Sequence, residues 1–312
     1  MSRISIGMPC YGRPAELRNA LEHLAAQTCR DFRIILHENP SDSTMIAELV
    51  AEFSARGLAI EYRRHPEQIG VVRNFLSVLH AARTEYFMWA ADDDMRHPEA
   101  VEILLGMLER DPGLSLAASS VELLNLSNQT IDWQLGFSRF STQGSTKEAT
   151  LQFLAEPELG GKANLIYGLF RRQHLLHALD LLGGTFPDCQ GQDLVVLVAF
   201  LSRFRIAATD RVLFRKRTGS YRTRPLAKRY PQDFGFNFGQ SRSFSRALRQ
   251  AMLETGIEDD VKRVIRRRLL HQMTLGSLRR AILRALGKEG ALPVPPSPEL
   301  AWSFVDQPLV KR

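Results

Sequence analysis

Apolar positions along the first 120 residues follow two alternating rhythms. Short β-rich runs occupy Ile4–Pro9, Phe32–Leu36, Leu58–Tyr62, Tyr86–Ala90 and Leu114–Ser119. Between them, apolar residues recur every three or four positions. Leu17, Ala20, Leu21 and Leu24 share one helical face, and Val72, Phe75, Leu76 and Leu79 share another within Gly70–Ala82. Ser43–Phe53 and His97–Leu108 read the same way. A period of two marks a strand and a period near 3.6 marks a helix. Pro14 and Pro98 stand in first helical turns, where a missing N–H costs nothing.

Strands joined through helices must run parallel, so this order predicts an α/β fold. The expected architecture is a single, mostly parallel, Rossmann-like sheet flanked by helices. Beyond Asn125 the rhythm loosens. Ile131–Leu135 and Asn164–Phe170 read as strands, Lys147–Leu154 and Leu175–Leu182 as helices, the latter stopped by Gly183-Gly184. Gln192–Leu201 is a strongly apolar helix, followed by strands at Phe204–Ala208 and Val212–Arg215. From Pro225 the pattern turns helical, at Phe244–Leu253 and Asp259–Leu286, before a proline-rich end at Pro293–Pro298. The expected division is a catalytic domain over 1–224 and a basic α-helical extension over 225–312. There is no internal repeat.

Composition narrows the class. With 312 residues, 44% hydrophobic and 24% charged, the chain is an ordinary globular protein with room for one large domain and an appendix. No apolar stretch has spanning length and no leader precedes the first strand, so a cytoplasmic location is expected. Cys10, Cys29 and Cys189 form no CxxC pair and are expected as free thiols, without a zinc site. The net charge of +7 conceals an asymmetry, because residues 200–290 hold 22 Lys and Arg against 7 Asp and Glu. A basic surface attracts phosphate of any kind, so charge alone does not choose among nucleotide, anionic lipid and nucleic acid.

The chemistry gathers at strand ends. Ligands of parallel sheets bind outside the carboxyl ends of the strands. Tyr11-Gly12-Arg13, His37-Glu38-Asn39 and Asp92-Asp93-Asp94 all fall at such ends. Three carboxylates drawn to the mouth of an apolar strand repel one another unless a cation joins them, and Mg or Mn favours carboxylates on one side and phosphate on the other. Alone, the triplet reads equally well as a solvated turn before a helix. His23, His65, His80 and His97 have no metal-ligand spacing. Trp89 is expected in the core, and Trp133 either stacks on a sugar ring or is buried.

Over residues 4–110 the chain resembles the family 2 glycosyltransferases of GT-A fold. The carrying segments are SIGMPCYGRPAELRNALEHLAAQT, FRIILHENPSDST and RRHPEQIGVVRNFLSVLHAARTEYFMWAADDD, in the family's order. The resemblance implies a transferase of hexosyl or deoxyhexosyl groups that takes a nucleoside diphosphate sugar and a divalent cation. Pro9, Tyr11 and Arg13 would wall the nucleotide pocket, and Glu38 would face the nucleobase. Arg73 and Asn74 would lie near the base, ribose or phosphates, with Asp92 and Asp93 on the donor. Asp94 and Asp92 would hold the metal. Asp193 is the candidate base for an inverting transfer, with Asp188 as fallback, and Arg217 and Tyr221 are candidates for a lid over the diphosphate. The family often has two aspartates where this chain has His37-Glu38, an acid where it has Ala91, and an acidic pair where it has Gln192-Asp193.

The acceptor would be a hydroxyl of a glycan, a lipid-linked oligosaccharide or a small aglycone. The basic amphipathic stretch 259–286 suits either contact with the inner face of a membrane or packing against the catalytic domain or a second subunit in a homodimer. Nucleic acid is disfavoured because no recognised binding fold accompanies the charge. Two rival readings are a sugar-phosphate nucleotidylyltransferase, which would need a Gly-rich loop after the first strand, and a non-catalytic nucleotide-sugar-binding or scaffold protein.

Overall fold

The computed structural model describes residues 2–264 apart from 43, 126–129, 156–160, 188, 190, 218–233, 254 and 258. Its first half alternates strand and helix. The order is β1 (Ile4–Cys10), α1 (Pro14–Ala25), β2 (Phe32–Glu38), α2 (Met45–Ala55), β3 (Ile60–Arg64), α3 (Val71–Ala81) and β4 (Tyr86–Trp89). Then come β5 (Met95–Arg96), α4 (Ala100–Arg110), β6 (Leu114–Asn125), β7 (Thr130–Leu135) and α5 (Thr146–Ala155). A 3-10 turn (Lys162–Tyr167) leads into β8 (Leu169–Arg171), α6 (Arg172–Asp180), α7 (Gln192–Leu201), β9 (Arg205–Arg217) and α8 (Phe234–Met252).

The strands form one mixed sheet in the order 3-2-1-4-8-6-9-5, with β7 paired to β6. From β3 to β4 every pairing is parallel. Short β8 is antiparallel to both β4 and β6, so β6 and its parallel partner β9 point the same way as β4. The carboxyl ends of β1, β2, β4, β6 and β9 therefore share one edge. The sheet is thus parallel through its first half and mixed beyond β4.

Alternation along the strands feeds two cores. Ile4, Ile6, Met8, Tyr86 and Met88 face α1, α2 and α4 through Leu17, Phe53 and Leu104. Ile35, Phe87 and Trp89 face the other layer, with Leu79, Phe153, Leu175 and all of Leu194–Leu201 from α7. Each fully buried aliphatic or aromatic side chain stabilises the fold by roughly 1.5–3 kcal/mol. Leu248, Ala251, Met252, Ile257 and Val261 belong to this second core. The extension is thus packed on α7 as far as the described residues run, and 265–286 of the basic stretch lie outside them.

Several element boundaries differ from the sequence reading. The strand expected at Asn164–Phe170 is mostly the 3-10 turn: Gly161 enters it at φ +68° and Asn164 Nδ2 donates to Gly161 O at 2.9 Å. The two late strands are one strand, kept continuous by register shifts along β6. Helix α4 starts three residues after His97, because His97 N still donates to Leu213 O at 2.9 Å and stays on the sheet. Strand β5 was not expected, and α8 begins well before Phe244.

Gly7 shows how tightly β1 is seated. A Cβ there would lie 2.6 Å from Phe87 Cζ and 2.8 Å from Val78 Cγ2, both in the core. Gly7→Ala should cost about 1–3 kcal/mol through overpacking. A urea midpoint equal to wild type would contradict this packing.

Candidate active site

The loops after β1, β2 and β4 meet around one residue. Cys10 pairs with Glu38 in the β1–β2 register, and Ala90 N donates to Gly7 O at 2.9 Å as β4 leaves the sheet beside β1. Burial raises the Cys10 thiol pKa strongly, Asp92 and then Glu38 push it the same way, and Arg13 opposes them. Glu38 and the aspartates therefore flank the same strand end. Tyr11 N donates to Asp92 Oδ2 at 3.3 Å, and the Arg13 guanidinium pairs with both Asp92 and Asp93. Gly12, at φ +59°, lets the first loop turn against the second: a Cβ there would lie 3.2 Å from Ser41 Cβ.

Glu38 is fully buried. Tyr62 donates its hydroxyl to Oε2, while Oε1 has no hydrogen-bond partner and lies 3.8 Å from Arg64 Nη1. The loop between β3 and α3 is tied in by Asn39, which accepts from Ile69 N at 3.1 Å and donates to Gly70 O at 3.3 Å. Asn74 sits beneath this rim, 2% exposed. Its Nδ2 donates to His37 O at 3.0 Å and Cys10 O at 3.5 Å, and its Oδ1 is 3.0 Å from His65 Nε2. Arg73, one residue earlier, is exposed on the first turn of α3. Pro9 is buried within β1, and Tyr11 is 55% exposed at its mouth.

The acidic triplet follows from β4. All four of its residues are buried, and Trp89 anchors the end by donating Nε1 to Phe75 O at 3.0 Å. The chain emerges with carboxylates still largely covered: Asp92 is 1% and Asp94 5% exposed. Burial pushes Asp92 up to about 7 against the pull of Arg13, and Asp93 adds to the rise. Burial likewise lifts Asp94 to about 6 against Lys216. Asp94 Oδ1 accepts from Arg217 N at 3.3 Å, and its Oδ2 is buried with no partner. Arg217 keeps its side chain near Glu16, Nη1 to Oε1 at 4.0 Å.

Asp193 opens α7 after Gly191 at φ +76°, and its Oδ1 accepts from Leu194 N at 2.9 Å. Tyr167 links it to the triplet. Burial raises the Tyr167 pKa; Lys216 opposes, and Asp94, Asp193 and Asp93 reinforce it in that order. The structure thus brings Glu38, Arg13, the three aspartates, Arg217 and Asp193 to one edge. Tyr221 and Asp188 lie outside the described residues, as does the side chain of Trp133.

Residues 5–152 match the family model described as Glycosyl transferase family 2. The resemblance to family 2 glycosyltransferases holds. An uncharacterized glycosyltransferase of Haemophilus influenzae is 25% identical over 112 residues, 36% of this chain and 36% of its own length. The chain thus spans about a third of the curated relative it matches. Among solved structures, S. aureus TarS 1–349 in complex with UDP superposes with a TM-score of 0.63 at 14% identity, covering 94% of this chain and 76% of that one. The same fragment with UDP-GlcNAc gives 0.62 at 15% identity over 89% and 76% of the two chains. The mannosyltransferase PcManGT from Pyrobaculum calidifontis, in complex with GDP-Man and Mn2+, gives 0.51 at 15% identity over 94% and 77%. These likenesses establish the GT-A fold.

The carboxylates of this edge fit a divalent cation. Two buried carboxylates with raised pKa values and one orphaned oxygen, Asp94 Oδ2, are what a hard ion would relieve. Among the described residues no three His, Cys, Asp or Glu converge into a full cage. Mg or Mn keep several waters and take substrate phosphate as ligands, so a pair of carboxylates is a sufficient protein contribution. The sequence reading passed over Tyr62, Arg64, Asn164, Tyr167 and Lys216. Arg64 had a usable signal, since it pairs with Glu38 in the β2–β3 register; the others depend on strand ends that periodicity places only loosely.

Asn74 is predicted to be a structural residue first. Asn74→Ala strands two carbonyls and His65, so it should cost about 1–3 kcal/mol. Chemical denaturation with unchanged stability would return Asn74 to the role of a surface ligand contact.

Proposed function

We propose that the chain transfers a hexosyl or deoxyhexosyl group from a nucleoside diphosphate sugar to an acceptor hydroxyl, with inversion. The observation that carries this reading is the convergence of Glu38, Asp92–Asp94 and Asp193 on one sheet edge, linked through Cys10 and Tyr167. The donors named with the structural neighbours, UDP-GlcNAc and GDP-Man, are consistent with it.

In this mechanism Tyr11 and the free Oε1 of Glu38 take the nucleoside at the β1–β2 end. A hydrogen-bond acceptor held by Tyr62 and left with one free oxygen suits an N–H on a base edge. Arg13 sits between the nucleoside side and the aspartates and turns from the carboxylates towards phosphate as donor enters. Asp94 and Asp92 would hold the cation, which when bound would neutralise charge on the departing diphosphate. Asp193, at the start of a rigid buried helix, accepts the proton of the attacking hydroxyl, as an oxocarbenium-like transition state requires. The loop after β1 has a single glycine, Gly12, and no basic cradle, which weakens the nucleotidylyltransferase alternative.

The acceptor is a hydroxyl of a glycan, lipid-linked oligosaccharide or aglycone. No helix among the described residues is long and apolar enough to cross a membrane. A location in the cytoplasm, with the basic stretch after residue 264 against the inner leaflet, fits a lipid-linked acceptor.

Two outcomes test the proposal. A screen of nucleotide sugars with Mn2+ should find at least one donor that raises Tm, with chelator removing the shift and Asp94→Asn weakening it at least about tenfold in Kd. Asp193→Asn should cut kcat by about 10²–10⁴ while sparing donor affinity. Turnover that survives the Asn variant would remove Asp193 as base, and donor binding without any transfer would favour the scaffold reading.

A further inference from the structure

Lys216 is the penultimate residue of β9 and is half-buried beside the acidic rim. Its Nζ donates to Asn164 Oδ1 at 3.1 Å and lies 4.7 Å from the centroid of the Tyr167 ring. Both partners are neutral. Asp94 and Asp93 act on it through space, and among the described residues it forms no ion pair. The pull of burial on its ammonium is outweighed by Tyr167, Asp94 and Asp93, so the group stays charged. Lysine carries three donors, and one is used here.

The fold aims this cation at the acidic rim. β8 is antiparallel to β4, so the 3-10 turn that precedes it, with Asn164 and Tyr167, lies at the carboxyl end of β4. β9 ends at that same edge, and Arg217 N bonds Asp94 Oδ1. The next side chain repeats the theme: Arg217 Nε and Nη1 are buried and find no hydrogen-bond acceptor. One strand end therefore delivers two cations to the site of the aspartates, Arg217 with Glu16 Oε1 4.0 Å from its Nη1. If Lys216 served only to neutralise Asp94, an ion pair would be expected, yet Nζ is turned to Asn164 and Tyr167 and Asp94 Oδ2 is left bare.

We propose that Lys216 is a donor-binding residue whose ammonium contacts the diphosphate of the bound nucleotide, a protein-fixed charge beside the divalent cation. This rests on the donor chemistry proposed above. Asn164 and Tyr167 act as positioning residues that hold Nζ with neutral groups and so leave its charge to the ligand.

The test needs neither the sugar nor the acceptor. Calorimetric affinities for UDP, UMP, GDP and GMP are compared in EDTA and in Mn2+, for wild type, Lys216→Met, Lys216→Gln and Lys216→Arg. For the base that binds, both neutral variants should lose about tenfold or more in diphosphate affinity in EDTA and much less for the monophosphate. Lys216→Arg should recover most of that loss. Lys216→Gln guards against a fold defect, since it can keep a polar contact with Asn164. Equal diphosphate binding by wild type and both neutral variants overturns the assignment alone. Parallel losses for monophosphate and diphosphate with a lowered Tm also overturn it, in favour of a packing role. If wild type binds none of the four nucleotides in either condition, the donor reading falls and takes this assignment with it.

Discussion

The cost of burying two carboxylates of an adjacent three governs the arrangement of this molecule. β4 is apolar on both faces, and Trp89 is locked into the core from three sides by Phe87, Phe170 and Phe186. That anchoring fixes the exit of the chain, so Asp92 and Asp94 cannot retreat to water. Their charge must be met from elsewhere. Arg13 reaches them from the β1 loop, Arg96 from β5, and Lys216 from the end of β9. Arg96 is itself fully buried, its Nη2 donating to Trp89 O at 2.8 Å and its guanidinium lying 4.5 Å from the Phe214 ring centroid. Three strands far apart in sequence are thus committed to one cluster of negative charge.

Much of the first half was legible because each element buries one face and repeats cleanly. β1, β2, β4 and α3 stand within a residue or two of their expected limits, and the strand-end rule puts Glu38 and the triplet on one rim from the sequence alone. The second half was harder for physical reasons. β8 has three residues, too few to show a period, and Gly168 allows the turn before it to approach Ala117 O so closely that a Cβ would sit 2.6 Å away. β5 has two residues and is held by its antiparallel partner β9. Such elements are made by tertiary pairing, which local pattern does not encode.

The site divides along the same line. Residues that follow a long strand directly, such as Glu38 and Asp92–Asp94, were readable. Those that belong to it only through topology, such as Tyr167 and Lys216, were not. Asn74 illustrates a third case, in which a polar residue beside a ligand site spends its side chain holding two strand ends and His65 together. A motif match gives such a residue a place in the site without saying which way its bonds run.

The basic excess beyond residue 200 invites a docking role, yet much of its described part is already engaged within the fold. Arg203 donates to Ala251 O and Leu253 O, both at 2.9 Å, and so ties the end of α8 to the end of α7. Arg205 pairs with Asp111 at 2.8 Å, Arg211 with Glu99 at 2.5 Å, and Arg215 with the buried Glu122 at 2.9 Å. Along β9 the charges therefore meet acids contributed by the α4 region and β6. At the opposite end of α7, Phe244 packs so closely on Gly191 that a Cβ there would be 3.3 Å from its ring. Helix α8 consequently touches the helix of the candidate base at both ends. A surplus of positive charge in sequence can thus be consumed in assembling the sheet and its helices, because long cationic side chains reach across elements that apolar packing has already brought together.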